Sequence, residues 1–203
     1  MHSDLSKISD YRAAVICVGG AGCKVASKLV TRLCSADVVA INSDSKSLAD
    51  VEADYKFVLS DGIVSSESEI RAFIRNYDFV YIVAGMGGRT GTGIAPEIAA
   101  LCAVEKIECN ALAIMPFGFE GRQLVALEGF RDLHSKCSST NKFKLDCMLE
   151  RSDINFNDVM EIADDLVCDS VEETINELPV VSRRVPPTDT EALVGVSCRR
   201  ATS

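Results

Sequence analysis

Short apolar runs alternate along this chain with longer stretches of helical periodicity. Ala13–Val18, Asp37–Ile41, Lys56–Leu59, Phe79–Ala84 and Asn110–Met115 are the apolar runs. Each is too short for a helix and mostly apolar at consecutive positions, the pattern of strands covered on both faces. Ser139 to Leu145 alternates more weakly and predicts a sixth strand. Between the strands the periodicity predicts helices over Cys23–Cys34, Ser66–Asn76, Ala95–Lys106 and Arg122–Lys136, with Pro96 in a first turn, where proline is tolerated. The longest periodic segment runs from Val159 to Leu178. Val159, Ile162, Ala163, Leu166, Val167, Val171, Ile175 and Leu178 form its apolar stripe, and Pro179 stops it. Glu161, Asp164, Asp165, Asp169, Glu172, Glu173 and Glu177 occupy the opposite face, read here as solvated. Strands alternating with helices predict an α/β fold: a doubly wound, mainly parallel, Rossmann-like sheet, ending in a long helix.

The pattern is confined to residues 13–178, which are expected to form one domain. Residues 1–12 are polar and read as an arm. Residues 179–203, with Arg183-Arg184-Val185-Pro186-Pro187 and the pair Arg199-Arg200, read as a tail with no second domain behind it. Composition narrows the function. A net charge of -9 argues against nucleic acid as a partner, because that partner selects a basic surface. No apolar run reaches the roughly 18 residues of a transmembrane segment, and no signal-peptide core is present, so the expected location is cytoplasmic. The nine cysteines include no C-x-x-C pair and mostly sit in apolar runs, as reduced core residues do. With two histidines and no ligand spacing, no metal site is expected.

Glycines mark the candidate chemistry. Gly85-Met86-Gly87-Gly88-Arg89-Thr90-Gly91-Thr92-Gly93 holds five glycines in nine residues, between the fourth strand and the next helix. Such a loop can turn several N–H groups toward one anion, and the following helix adds its positive end. Gly19-Gly20-Ala21-Gly22 makes a second strand–glycine–helix junction, followed by Cys23 and Lys24. Lys24 reads either as a charge partner for phosphate or as a solvated lysine. Asn42 and Asp44 follow the second strand and suit either a ribose or phosphate contact or a helix N-cap. Glu120 follows the fifth strand and suits either a ribose or a helix start. All of these positions lie past the carboxyl ends of strands, where open α/β sheets bind ligands.

These motifs together resemble the tubulin/FtsZ superfamily of GTP-binding cytoskeletal proteins. Ala84 to Pro96 resembles the signature AGMGGGTGTGxAP, with Arg89 in place of one glycine. Val18 to Gly22 resembles the family's first glycine loop, Asn42-Ser43-Asp44 its Asn-Thr-Asp segment, and Pro116 to Gly121 its PFxFEG segment. The resemblance implies that Gly19, Gly20, Ala21, Gly22, Cys23 and Lys24 wrap the nucleotide phosphates. Gly87, Gly88, Arg89, Thr90, Gly91, Thr92 and Gly93 would approach them from the other side, and Glu120 would hold the ribose. Asn157 and Asp158 resemble the start of the family's central helix, where the acidic residue reads guanine by accepting from its N1–H and N2–H₂ edge. The implied ligand is GTP or GDP, with room for Mg. The implied partners are other copies of the chain in filaments, or a partner protein.

Departures from the family shape the functional expectation. Arg89 and Lys24 add positive charge where the family carries glycine and asparagine. The segment from Ser60 to Ser66 is shorter than the family's terminal-phosphate sensor, and Leu124 replaces an arginine for which Arg122 is the available substitute. No catalytic residue is assigned. The expected function is a guanine-nucleotide-binding switch of cytoskeletal or membrane-remodelling type with little intrinsic hydrolysis. The alternatives are a GTPase completed by assembly with itself or a partner, and a Rossmann-type enzyme using NAD or another nucleotide.

Overall fold

A computed structural model describes residues 11–59, 62–149 and 155–178. The first ten residues of the expected arm and the whole expected tail lie outside them. Six strands form one parallel sheet in the order β3-β2-β1-β4-β5-β6. They are β1 (Ala13–Val18), β2 (Ala36–Asn42), β3 (Tyr55–Val58), β4 (Phe79–Gly85), β5 (Glu108–Met115) and β6 (Ser139–Lys144). The helices are α1 (Gly19–Arg32), α2 (Ser45–Ala49), α3 (Glu67–Ile74), α4 (Arg89–Glu105), α5 (Gln123–His134) and α6 (Phe156–Asn176). The strand order reverses between β1 and β4, which pair from Ala13↔Phe79 to Val18↔Ala84. Such a reversal sends successive crossovers to opposite faces and opens a crevice at the strand ends.

The sheet divides two apolar layers. Ile16, Ile41 and Ile82 point toward a layer completed by α3, α4 and α5, with Ile70, Phe73, Ile98 and Leu133 inside it. Val15, Cys17, Val38 and Val83 point the other way, onto Leu29 of α1 and Val159, Val167, Val171 and Ile175 of α6. Both sides of each central strand are thus removed from water, which explains why those strands are continuous apolar runs. Each fully buried Ile or Leu contributes about 2 kcal/mol of transfer free energy. The sixth strand signals weakly because it is an edge: Ser139, Asn141, Lys142 and Lys144 are exposed. Edge lysines also discourage pairing with another chain.

Three expectations are corrected. Both glycine-rich stretches are largely helical, because α1 begins at Gly19 and α4 at Arg89 rather than at Cys23 and Ala95. Second, the acidic face of α6 is not simply solvated. Asp165 takes Lys28 Nζ at 2.8 Å, Glu172 takes Arg32 Nε at 2.5 Å, and Asp169 also pairs with Arg32. Three of the seven carboxylates on that face therefore belong to the seam between α6 and α1. The apolar stripe differs as well, since Leu166 is 43% exposed and Cys168 is buried in its place.

Candidate functional site

The crevice at the β1/β4 reversal is built by glycines that let backbones touch. A Cβ at Gly91 would lie 2.1 Å from the Gly85 carbonyl oxygen, so α4 can start against the end of β4 only because Gly91 has none. A Cβ at Gly22 would meet the Val83 carbonyl oxygen at 2.7 Å, which holds α1 against the same strand. These helical glycines serve close approach. Backbone freedom is used instead at Gly19 (φ 77°) and Gly87 (φ 87°), where the chain reverses. The N-termini of α1 and α4 thus converge at one edge of the sheet, and their unpaired N–H groups and dipoles favour an anion there.

Side chains around α4 are already tied to this edge. Thr92 Oγ1 accepts from the Gly87 N–H at 2.8 Å, closing the turn. Ser43 and Thr90 share a hydroxyl hydrogen bond of 2.7 Å, and Thr90 also donates to Asn42 Oδ1 at 3.4 Å. Asn42 is buried in this network. Asp44 donates its N–H to Asn42 Oδ1 at 3.4 Å, and its carboxylate is the N-cap of α2, accepting from Lys46 N at 3.0 Å and Ser47 Oγ at 2.8 Å. Those bonds hold its carboxyl below the usual range. Its N-cap alternative is the one realised.

Two cavities flank the convergence. The larger, about 740 Å³, is lined by Ala21 and Lys24 of α1, Gly85 and Met86 at the end of β4, and Pro116, Phe117, Phe119, Glu120 and Arg122 after β5. Phe156, Asn157, Met160, Glu161 and Asp164 of α6 close its far wall. Phe117, Phe119 and Phe156 form an aromatic group with centroids 5.1 Å (117–119) and 5.4 Å (117–156) apart, and Phe119 is 69% exposed. An exposed aromatic surface beside a polar edge suits a flat heterocycle. Glu120 lines this cavity, but Oε1 accepts from Phe117 N at 2.8 Å and the other oxygen pairs with Arg122. Asp164 is partly desolvated, which raises its pKa against the opposing pull of Lys28 and Lys24.

The smaller cavity, about 390 Å³, lies on the other side of the α4 start. Ser43, Leu59, Gly62, Arg89, Thr90, Gly93, Ile94 and Glu97 line it. Arg89 is exposed there. The expected sensor segment contributes Gly62; Ser60 and Asp61 lie outside the described residues.

The structure therefore brings most of the expected residues to one edge; besides Asp44, whose carboxylate caps α2, three stand apart. Cys23 is buried, its thiol directed at the Ile41 carbonyl oxygen at 3.6 Å and pushed up to about 11 by burial. Gly22 is buried against β4 and lines neither cavity. Asp158 does not line the large cavity: its carboxylate accepts from Asn155 Nδ2 at 2.6 Å, and its own N–H is capped by Asn155 Oδ1. Helical geometry explains this. Asn157, Met160, Glu161 and Asp164 are spaced i, i+3, i+4, i+7 and share the face toward the cavity, whereas Asp158 is turned about 100° away. Glu161 and Asp164 were read from sequence as part of a solvated face. Only the packing of α6 on α1 reveals that one edge of that face borders the cavity.

Known proteins give this geometry its relatives. The family model described as Tubulin/FtsZ family, GTPase domain matches residues 60–152. Cell division protein FtsZ of Rickettsia felis is 30% identical over 176 residues, covering 74% of this chain and 38% of that protein. FtsZ 1 of Halobacterium salinarum is 33% identical over 125 residues, covering 53% and 32%. The chain belongs to the tubulin/FtsZ superfamily. The fold agrees with that membership. An FtsZ dimer from M. jannaschii superposes with a TM-score of 0.79 at 24% identity, covering 92% of this chain and 61% of that one. CetZ2 from Haloferax volcanii, in a GTPγS-bound protofilament, superposes with a TM-score of 0.70 at 19% identity, covering 90% and 62%. The chain thus spans under two fifths of the FtsZ sequences quoted. Within the tubulin/FtsZ frame, Arg122 rather than Leu124 lies at the cavity; Leu124 is 78% exposed and is not part of its lining. Among the described residues no helix is long and apolar enough to cross a membrane.

Proposed function

We propose that this chain binds a guanine nucleotide, GTP or GDP, along the carboxyl edge of its sheet and acts as a cytoskeletal switch through self-assembly. The observation that carries this reading is the convergence of two glycine-built helix starts beside an aromatic-walled cavity. The phosphates lie between α1 and α4, where N–H groups from both helices and the Lys24 ammonium stabilise negative charge. The base lies in the large cavity against the Phe117–Phe119–Phe156 group. Glu120 with Arg122 borders the ribose between them. Asn157 and Glu161 offer acceptors on the wall of α6 for the guanine N1–H and N2–H₂. A carboxylate acceptor there selects against adenine, whose corresponding edge lacks that donor pair. Mg, if bound with the phosphates, would need oxygen ligands, and Thr90, Ser43 and Asn42 are the oxygen-bearing side chains at that edge.

Hydrolysis is proposed to be slow in dilute protein. Phosphoryl transfer needs an oriented water as well as clamped phosphates. Two of the carboxylates near the edge are already engaged, Asp44 in capping α2 and Glu120 with Phe117 and Arg122. Assembly with another copy or a partner is the route by which a water-orienting group would be supplied.

Equilibrium binding of GTP, GDP and NAD to the full chain tests the ligand class. Guanine nucleotides are expected to bind and NAD is not; NAD binding without guanine binding would sink the proposal. Light scattering against protein concentration, with GTP and with GDP, tests the switch. A GTP-dependent rise is expected, and identical traces with both nucleotides would overturn it.

A further inference from the structure

Three thiols meet at the opposite edge of the sheet from the candidate nucleotide site. Cys102 is near the end of α4, Cys109 is the second residue of β5, and Cys137 lies between α5 and β6. Cys109 Sγ and Cys137 Sγ are 3.8 Å apart. Backbone bonds hold the two segments in place: Ser138 N donates to Cys109 O at 2.7 Å, and Cys137 N donates to Leu133 O at 3.2 Å. The members are unequal. Cys109 is 3% exposed and belongs to the same buried core as Leu101, Cys102 and Leu133, while Cys137 is partly exposed. Thr140 Oγ1 is a buried hydroxyl without a hydrogen-bond partner among the described residues. It neighbours Cys137, so ionisation of Cys137 would give it an acceptor.

We propose that Cys137 and Cys109 form a two-thiol oxidation site that a hydroperoxide converts to a reversible disulfide. Cys137 attacks first, since it is the accessible member. Its ionised form is favoured by hydrogen bonding from Cys109, with Thr140 adding to the effect. Hydrogen bonding with Cys102 and Cys137, with burial adding to it, holds Cys109 protonated. The Cys137 thiolate attacks one peroxide oxygen, the O–O bond breaks, and the departing hydroxide takes up the proton that Cys137 released on ionising and leaves as water, giving a sulfenic acid on Cys137. The Cys109 sulfur then attacks Cys137 Sγ and displaces hydroxide, which takes the Cys109 proton and leaves as a second water. Two thiols and one hydrogen peroxide give one disulfide and two waters; sulfur is oxidised and peroxide oxygen reduced. Side-chain rotation brings the sulfurs to the bonded separation of about 2 Å, and a dithiol reverses the reaction.

The test treats the native full chain with hydrogen peroxide, blocks remaining thiols with N-ethylmaleimide, and maps peptides without reductant. A cross-linked Cys109–Cys137 peptide is expected, with an intact mass lower by about 2 Da when read before the blocking step, and full reversal by dithiothreitol. Cys102→Ser should still form it. In Cys109→Ser, Cys137 should be captured by dimedone as the sulfenic acid. If Cys109→Ser does not fold, Cys137→Ser, which alters a partly exposed site, should fold and leave Cys109 reduced under the same dose. Two outcomes overturn the proposal. One is oxidation confined to the exposed Cys34 and Cys147 while Cys109 and Cys137 remain alkylatable after denaturation. The other is a disulfide joining Cys102 to either thiol.

Discussion

At the β1–α1 junction the chain turns at a single positive-φ glycine and is helical at once; at the β4–α4 junction it takes Met86, Gly87 and Gly88 before the helix begins. Both helices then press on β4 through a glycine that could not carry a Cβ, Gly22 on the Val83 carbonyl and Gly91 on the Gly85 carbonyl. Their early cations part company. Lys24 faces the large cavity with the aromatic group, and Arg89 faces the smaller one behind α4. Two junctions of one design therefore do different work. Glycine fixes how near the helices come, while the place of each side chain on its helix fixes which space its charge enters.

The largest expected effect separates the glycines themselves. Gly91→Ala should cost roughly 3 kcal/mol or more, because the new Cβ meets backbone that cannot move without breaking β4. Gly93→Ala, with nothing within 4 Å, should instead stabilise α4 by up to about 1 kcal/mol. Urea unfolding of both variants checks this, and equal destabilisation would break the distinction between close-approach and free glycines.

The cations should differ by nucleotide. Lys24→Ala is expected to weaken GTP and GDP alike, by about 10-fold or more, as loss of a charge-assisted phosphate contact does. Arg89→Ala should weaken GTP by about 10-fold while leaving GDP within a few-fold, if the chain of phosphates runs from the large cavity toward the small one. Titration calorimetry with both nucleotides decides; identical profiles for the two variants would mean that both cations serve the same phosphate.

A third comparison lies on α6. Glu161→Gln should reduce the preference for guanine over adenine nucleotides by roughly 10-fold, because an amide presents one acceptor where the carboxylate presents two. Asp158→Ala should leave that preference unchanged and lower stability by about 1 kcal/mol through the weakened helix start at Asn155. The reverse ranking would return the guanine-reading role to Asp158.

The smallest effect concerns Asp164. Burial raises its pKa, so the folded state binds the proton more tightly than the unfolded chain, and stability falls as pH rises through the interval between the two values. Asp164→Asn should therefore stabilise the protein at neutral pH, by under about 1 kcal/mol, and lose that advantage in acid below the carboxylate range. Thermal unfolding across pH gives the curve; a gain that persists unchanged in acid would remove Asp164 from account.

Much of the site was legible before the fold was known. The glycine strings, Asn42 and Glu120 mark strand ends, and the Rossmann-like order of the sheet brings strand ends together. Helix onsets were misplaced because glycine usually breaks helices, and nothing local says that Gly91 and Gly93 lie inside one. Phe156 could be read from the sequence as a residue able to stack on a base, but its meeting with Phe117 could not: the two are 39 positions apart in the chain and meet only through β6 and α6. Glu161 and Asp164 carried no signal distinct from their acidic neighbours.

The sequence by itself determined the alternation of strands and helices, the parallel sheet and the two glycine junctions. These depend on periodicity and on backbone sterics, both of which act over a few residues. Tertiary structure alone decided the facing of Lys24, Arg89, Asp158 and Glu161, the seam of carboxylates on Lys28 and Arg32, and the meeting of Cys109 with Cys137. Those depend on which helix faces which neighbour, and a rotation of 100° per residue turns adjacent side chains into different surroundings.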